Sequence, residues 1–159
     1  MREHELETAA PEETEALGTR LGRAARGGEL IGLVGELGVG KTCLVRGLAL
    51  GLGIDPTVVH SPSFTIVTEY GGGRLPLHHV DLYRLEQPLD DELSLREVLY
   101  GEGVAAVEWF DRLLPAAGDE ILLVTLRHVG RRSEPDRRRI RLAAHGVRHT
   151  RLLDAAAGV

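Results

Sequence analysis

From Pro11 onward the apolar side chains recur every three to four residues. Leu17, Leu21 and Ala24 or Ala25 fall on one face of a helix running to about Arg26, with Pro11, Glu12 and Glu13 in its first turn. The period then changes. Glu29-Leu30-Ile31-Gly32-Leu33-Val34 is a nearly continuous apolar run, as expected of a parallel strand buried on both faces. A second helix reads from Thr42 to Leu52 and is ended by Gly53. Phe64 to Tyr70 and Leu75 to Tyr83 flank Gly71-Gly72-Gly73 as the two arms of a β-hairpin. A polar helix follows from about Asp90 to Tyr100, then the apolar strand Val104-Ala105-Ala106-Val107 ending at Glu108, then a strand from Glu120 to Leu126. Arg138 to Ala143 reads as an edge strand and His145 to Ala156 as a weak terminal helix. Apolar strands alternating with helices, plus one hairpin, predict an α/β sandwich with a mixed, mainly parallel sheet.

Between the first strand and the second helix lies Gly35-Glu36-Leu37-Gly38-Val39-Gly40-Lys41-Thr42, a full match to the phosphate-binding pattern G-x-x-x-x-G-K-[ST]. Its four specified positions match by chance in roughly one chain of this length in a few hundred. Gly35 closes the strand, and Gly38 and Gly40 permit backbone conformations in which successive N–H groups turn inward on an anion. The helix beginning at about Gly40 adds its partial positive charge, and the Thr42 hydroxyl is placed to ligate magnesium. Lys41 is the only lysine in the 159 residues, beside eighteen arginines. In a chain so biased towards arginine, a lysine here marks a need for a compact charge on a flexible stem that reaches the β and γ phosphates. The expected architecture is thus a three-layer sandwich of the P-loop NTPase kind.

Composition narrows the reading without changing it. With 43% apolar residues and a net charge of −5, the 159 residues fit a single domain with a core of ordinary size. No apolar run approaches membrane-spanning length, and Met1-Arg2-Glu3-His4-Glu5 is too charged for a secretory signal, so a cytoplasmic protein is expected. The lone cysteine, Cys43, has no internal partner for a disulfide and falls in the first turn of the phosphate-loop helix, where packing or backbone contact with phosphate accounts for it.

A phosphate loop needs a carboxylate nearby to hold magnesium and orient water. Glu108 ends a wholly apolar, hence central, strand, and central strands are those that flank such a loop. Asp81 ends Leu77-His78-His79-Val80 and is followed at once by Leu82-Tyr83-Arg84. Glu108 is therefore the expected metal ligand and Asp81 the residue that supports it or positions water, against the plainer alternatives of a solvated strand-end acid for Glu108 and a loop cap or an ion pair with Arg84 for Asp81.

Four motifs in order give the chain a resemblance to the TsaE family, also called YjeE, from about residue 11 to beyond residue 115. Besides the phosphate loop they are Ser61-Pro62-Ser63-Phe64-Thr65, where the family usually reads Ser-Pro-Thr-Phe-Thr, His79-Val80-Asp81-Leu82-Tyr83-Arg84, and Val107-Glu108-Trp109. Val39 and Cys43 stand where the family commonly has Ala and Thr, and Ser63 keeps the hydroxyl of the usual Thr. The resemblance implies an ATPase, slow alone, that binds ATP and Mg2+. It further implies work with TsaD and TsaB, which transfer threonylcarbamoyl to the adenosine beside the anticodon of tRNAs reading codons that begin with A. Carried onto this chain, Lys41 and the backbone of Gly38, Val39, Gly40, Thr42 and Cys43 would hold phosphates, and Thr42 and Glu108 would hold magnesium. Asp81 and Trp109 would complete the catalytic or coupling site, and Ser61, Ser63 and Thr65 would form a switch-like loop. Thr14 corresponds to a position near the adenine, although helix capping explains it equally; Trp109 is equally explained as a core aromatic.

Neighbouring classes fit less well. A GTPase of the Asn-Lys-x-Asp type is excluded, because the chain has no asparagine and no second lysine. A small-molecule kinase would share the loop but need a lid with phosphate-clamping arginines, for which Arg84, Arg96 and Arg112 are the candidates. A nucleotide-gated binding module without useful turnover is a third reading. The arginine-rich stretch Arg131 to Arg139 contains Glu134 and Asp136 within a net acidic chain. It therefore reads as a charged hairpin turn protecting a sheet edge rather than a tRNA surface; if it acts, Arg132 would touch nucleotide or an acidic partner. His78 and His79, adjacent on a strand, point to opposite faces and do not share an ion.

Overall fold

The computed structural model describes residues 1–36, 38–60, 67–82, 99, 101–108 and 120–158. In chain order these form β1 (Arg2–Thr8), α1 (Pro11–Ala24), β2 (Glu29–Val34), α2 (Lys41–Gly51), a short 3-10 turn (Pro56–Val58), β3 (Val67–Tyr70), β4 (Leu77–Asp81), β5 (Val104–Glu108), β6 (Ile121–His128), β7 (Arg138–His145) and α3 (Val147–Ala157). The described strands share one sheet in the order β1-β7-β6-β2-β5-β4-β3. Its centre, β6-β2-β5-β4, is parallel, while β3 pairs antiparallel with β4, and β7 runs antiparallel to both β6 and β1.

The apolar runs explain which strands are central. All five residues of β5 and five of the six in β2 are buried, as a parallel strand covered on both faces requires. On one face Leu17 and Leu21 of α1, Leu44, Val45 and Leu48 of α2, and Leu152 and Leu153 of α3 pack onto Ile31, Leu33, Ala106, Leu122 and Val124. On the other, Leu30, Val80, Ala105, Val107 and Ile121 gather with Leu99. Leu99 is the one described residue of the expected helix from Asp90 to Tyr100, whose remainder lies outside the described residues.

α1 and α2 approach unusually closely because glycines face each other across the crossing. A Cβ on Gly18 would lie 2.2 Å from the Leu44 carbonyl oxygen and one on Gly47 2.0 Å from that of Glu15. One turn along, Gly22 and Gly51 would meet the Leu48 and Thr19 carbonyls at 2.4 and 2.3 Å. No side chain larger than hydrogen fits, so this spacing of glycines seats the phosphate-loop helix against α1.

The edges hold a correction. Arg138 to Ala143 was expected to be an edge strand, but β7 lies between β6 and β1. The true edge is β1, which apolar periodicity passes over because its outward positions are Glu3, Glu5 and Glu7. In register these lie beside Ala143, Arg141 and Arg139. Arg139 pairs with Glu5 at 3.3 Å and Glu7 at 3.0 Å, Arg137 with Glu7 at 3.0 Å, and Arg141 with Glu3. The inward positions Leu6 and Thr8 continue the core. The other elements expected from sequence and falling on described residues are present; β2 and β5 match residue for residue, and the ends of the rest shift by at most three residues. No helix among the described residues is long and apolar enough to cross a membrane.

Candidate functional site

The phosphate loop leaves β2 after Val34 and enters α2 at Lys41. Gly38 and Gly40 take φ values of 78° and 110°, the left-handed region that side chains resist. A Cβ on Gly38 would meet nothing within 4 Å, so the loop presents open space there, whereas one on Gly40 would approach Thr14 Cγ2 at 3.8 Å. Gly40 caps α2 without any side-chain acceptor, and no acidic residue stands in the first turn. Among the described residues no side-chain acceptor meets the positive end of α2. Val39 is buried and anchors the loop: its N–H donates to the Glu36 carbonyl at 3.1 Å and its carbonyl accepts from Arg138 Nε at 2.8 Å.

Lys41 is 4% exposed, and its ammonium donates to the carbonyls of Gly35 and, at 3.1 Å, of Glu36. The charge is therefore held within the mouth of the loop. Next along α2, Thr42 Oγ1 donates to Glu108 at 3.0 Å from Oε1 and 3.2 Å from Oε2. Glu108, at the end of β5, is 3% exposed and also accepts a hydrogen bond from His79 Nε2. In the β4–β5 register Asp81 lies directly beside Glu108, while Leu33 of β2 lies on its other side. Both candidate carboxylates thus end adjacent strands, and Glu108 is on the strand next to the loop. A hydroxyl, a carboxylate and a neighbouring carboxylate are hard oxygen donors, the chemistry magnesium prefers.

The remaining expected site residues separate. Thr14 is buried and exchanges a 2.8 Å hydrogen bond with Thr8 across the start of α1, whose N-cap is Ala10 with no side-chain cap, so helix capping does not explain Thr14. Cys43 Sγ donates to the Pro11 carbonyl at 3.2 Å, and burial pushes its thiol up, which disfavours the reactive thiolate. Arg132 is exposed on the turn between β6 and β7, and the arginine that reaches the loop is Arg138. His79 is fully buried, whereas His78 points the other way, 4.0 Å from Glu69. Trp109, Ser61, Ser63 and Thr65 lie outside the described residues, as do Arg84, Arg96 and Arg112.

Sequence reasoning passed over Arg138 and the bond between His79 and Glu108. Arg138 was one of three consecutive arginines with nothing local to distinguish it. The strand alternation that set His79 apart from His78 was the available signal for the second, since it puts His79 on the face of Asp81 and Glu108.

Comparison with known proteins shows what the chain is similar to. The family model described as "Threonylcarbamoyl adenosine biosynthesis protein TsaE" matches residues 8–139. The tRNA threonylcarbamoyladenosine biosynthesis protein TsaE of Bacillus subtilis is 38% identical over 154 residues, covering 97% of this chain and 94% of the relative. The protein of the same name from Nostoc is 46% identical over 111 residues, covering 66% and 67%. The crystal structure of Bacillus subtilis YdiB superimposes with a TM-score of 0.82 at 34% identity, covering 99% of this chain and 95% of that one. The chain belongs to the TsaE family.

Proposed function

We propose that this chain is a magnesium-dependent ATPase of tRNA threonylcarbamoyladenosine biosynthesis, acting with TsaD and TsaB homologues to sustain their turnover. The family membership supports the pathway, and one contact carries the chemistry: Thr42 of the phosphate-loop helix donates directly to Glu108 at the end of the neighbouring strand. A glycine-rich turn serving structure alone has no reason to bring a hydroxyl and a buried carboxylate together at its helix entrance.

Within this reading the amides from Gly38 to Cys43 and the Lys41 ammonium bind the β and γ phosphates, which the exposed cradle over Gly38 admits. Thr42 and Glu108 hold the magnesium ion, which supplies neutralisation of charge on the transferring phosphoryl group. Asp81, beside Glu108, orients the attacking water. Thr14, packed over Gly40, borders the nucleotide. The tRNA meets this chain through the partner complex, consistent with the net charge of −5, and the proposed place of action is the cytoplasm.

The test is ATP hydrolysis by the purified chain with and without cognate TsaD and TsaB, beside an assay of threonylcarbamoyl transfer to tRNA over several turnovers. Hydrolysis stimulated by the partners, with repeated transfer only when this chain is present, supports the reading. Hydrolysis indifferent to them, with no effect on transfer, contradicts it.

A further inference from the structure

We propose that His79 is a positioning residue: its Nε2–H holds Glu108 Oε2 and so fixes the rotation at which the carboxylate meets Thr42 and the metal. The inference rests on the reading of Glu108 as a magnesium ligand and adds the residue that sets its orientation.

The geometry follows from register. His79 lies beside Ala106 and Asp81 beside Glu108, so the His79 ring reaches diagonally to the next carboxylate along β5, over a residue whose side chain is only a methyl. Glu108 at 3% exposure has little water to complete its shell, and among the described residues its donors are the Thr42 hydroxyl and the His79 ring. With Glu108 ionised, its oxygens only accept, which puts the proton on Nε2. Removing the imidazole leaves Oε2 with the longer of the Thr42 contacts, 3.2 Å, and the carboxylate free to turn.

A second histidine shows what a purely structural role looks like in this fold. His149, equally buried, uses both nitrogens on backbone: Nε2 accepts from Leu30 N–H at 3.0 Å and Nδ1 donates to the His145 carbonyl at 3.2 Å. Leu30 needs that acceptor because the β2–β6 pairing begins only at Ile31. His79 differs on both counts. Its single bond goes to the carboxylate, and Nδ1, although fully buried, has no partner among the described residues. His79 thus spends its ring on the carboxylate rather than on backbone, as a residue that orients a ligand-bearing side chain does.

The experiment compares His79→Gln, His79→Asn and His79→Ala with wild type. Gln places an amide N–H where Nε2 stands, whereas Asn places one where Nδ1 stands, so only Gln restores the bond to Glu108. Each variant is checked for its thermal midpoint, for ADP affinity in EDTA, for Mn2+ affinity of the ADP complex by electron paramagnetic resonance, and for kcat. His79→Asn and His79→Ala should lose about 10- to 100-fold in Mn2+ affinity or kcat, with metal-free ADP affinity and His79→Gln both within about threefold of wild type. In a Glu108→Gln background, His79→Ala should cost nothing further in either readout.

If Asn and Gln behave alike, or if all three variants keep Mn2+ affinity and kcat within about threefold, the proposal is overturned. Should His79→Ala fail to fold, the Gln and Asn pair still decides it. Glu108→Gln alone separates the two levels: normal Mn2+ affinity and turnover in that variant overturn the metal reading and the proposal with it. A defect in Glu108→Gln without one in His79→Asn overturns only the role of His79.

Discussion

The centre and one edge of this sheet are built on different principles. At the phosphate loop, nine neighbouring residues from Gly35 to Cys43 carry the motif on which the proposed chemistry rests, and the backbone conformations they demand, positive φ at Gly38 and Gly40, are visible in the residues themselves. At the β1–β7 edge nothing is local: Arg137 meets Glu7 across 130 positions of sequence, and the pairs are solvent-exposed, a setting in which each contributes little. A functional site is legible because its geometry is severe and contiguous, while an edge held by complementary charge becomes visible only once the two strands are side by side. Arg138 joins the two regions, since it stands on β7 beside Thr8 and donates to the Val39 carbonyl of the loop.

The strongest way to break the comparison is at the loop. Lys41→Ala should abolish ATP binding, a loss of more than about 100-fold in affinity by isothermal titration, with a circular dichroism spectrum like that of wild type. Gly47→Ala, remote from phosphate, strikes the seat of the loop helix instead. Its Cβ would sit 2.0 Å from the Glu15 carbonyl, an overpacking expected to cost about 3 kcal/mol. Thermal denaturation should then show a midpoint lower by roughly 6–12 °C.

Arg138→Ala sharpens the link between the regions. The loop carbonyl of Val39 loses a charge-assisted donor, and nucleotide affinity should fall about tenfold, whereas Arg132→Ala, on the exposed turn, should leave it unchanged. An effect from Arg132 equal to that from Arg138 would show that the turn itself reaches the ligand.

His149 yields a smaller, pH-dependent effect. Burial holds its imidazole below the usual histidine range, so the unfolded chain binds that proton more readily than the native one. The stability it contributes is complete above the unfolded pKa of about 6.5 and is lost as pH falls through the folded value. Urea denaturation midpoints of wild type should drop over that window, and His149→Leu should flatten that part of the profile while lowering stability at pH 8 by about 1–2 kcal/mol through the orphaned Leu30 N–H. Smallest of all, Glu5→Ala should scarcely move the thermal midpoint at low salt, and not at all in 1 M salt, where exposed pairs are screened.

These contrasts also show how much the residues alone disclosed. Central strands were legible because burial on both faces leaves no polar positions in Ile31, Leu33 or Val104 to Val107. The adjacency of Glu108 to the loop followed from the same fact. β1 was not legible, since a strand whose visible alternation is glutamate has no apolar stripe to read. Nor was the crossing of α1 and α2, because glycines inside helical patterns ordinarily weaken a helix and here are required by backbone contact at Gly18 and Gly47. The sequence put Arg132 in a turn and Arg138 at the start of a strand, but only the folded chain shows that it is Arg138 that reaches the Val39 carbonyl of the loop.

The most direct test of the site is magnesium-dependent ATP hydrolysis by Glu108→Ala, with nucleotide binding measured on the same sample and TsaD and TsaB homologues present. Nucleotide bound to within a few-fold of wild type with hydrolysis lost is the expected result, because Lys41 and the loop amides remain while the proposed metal ligand is gone. Unchanged hydrolysis would contradict it and move the metal to Asp81.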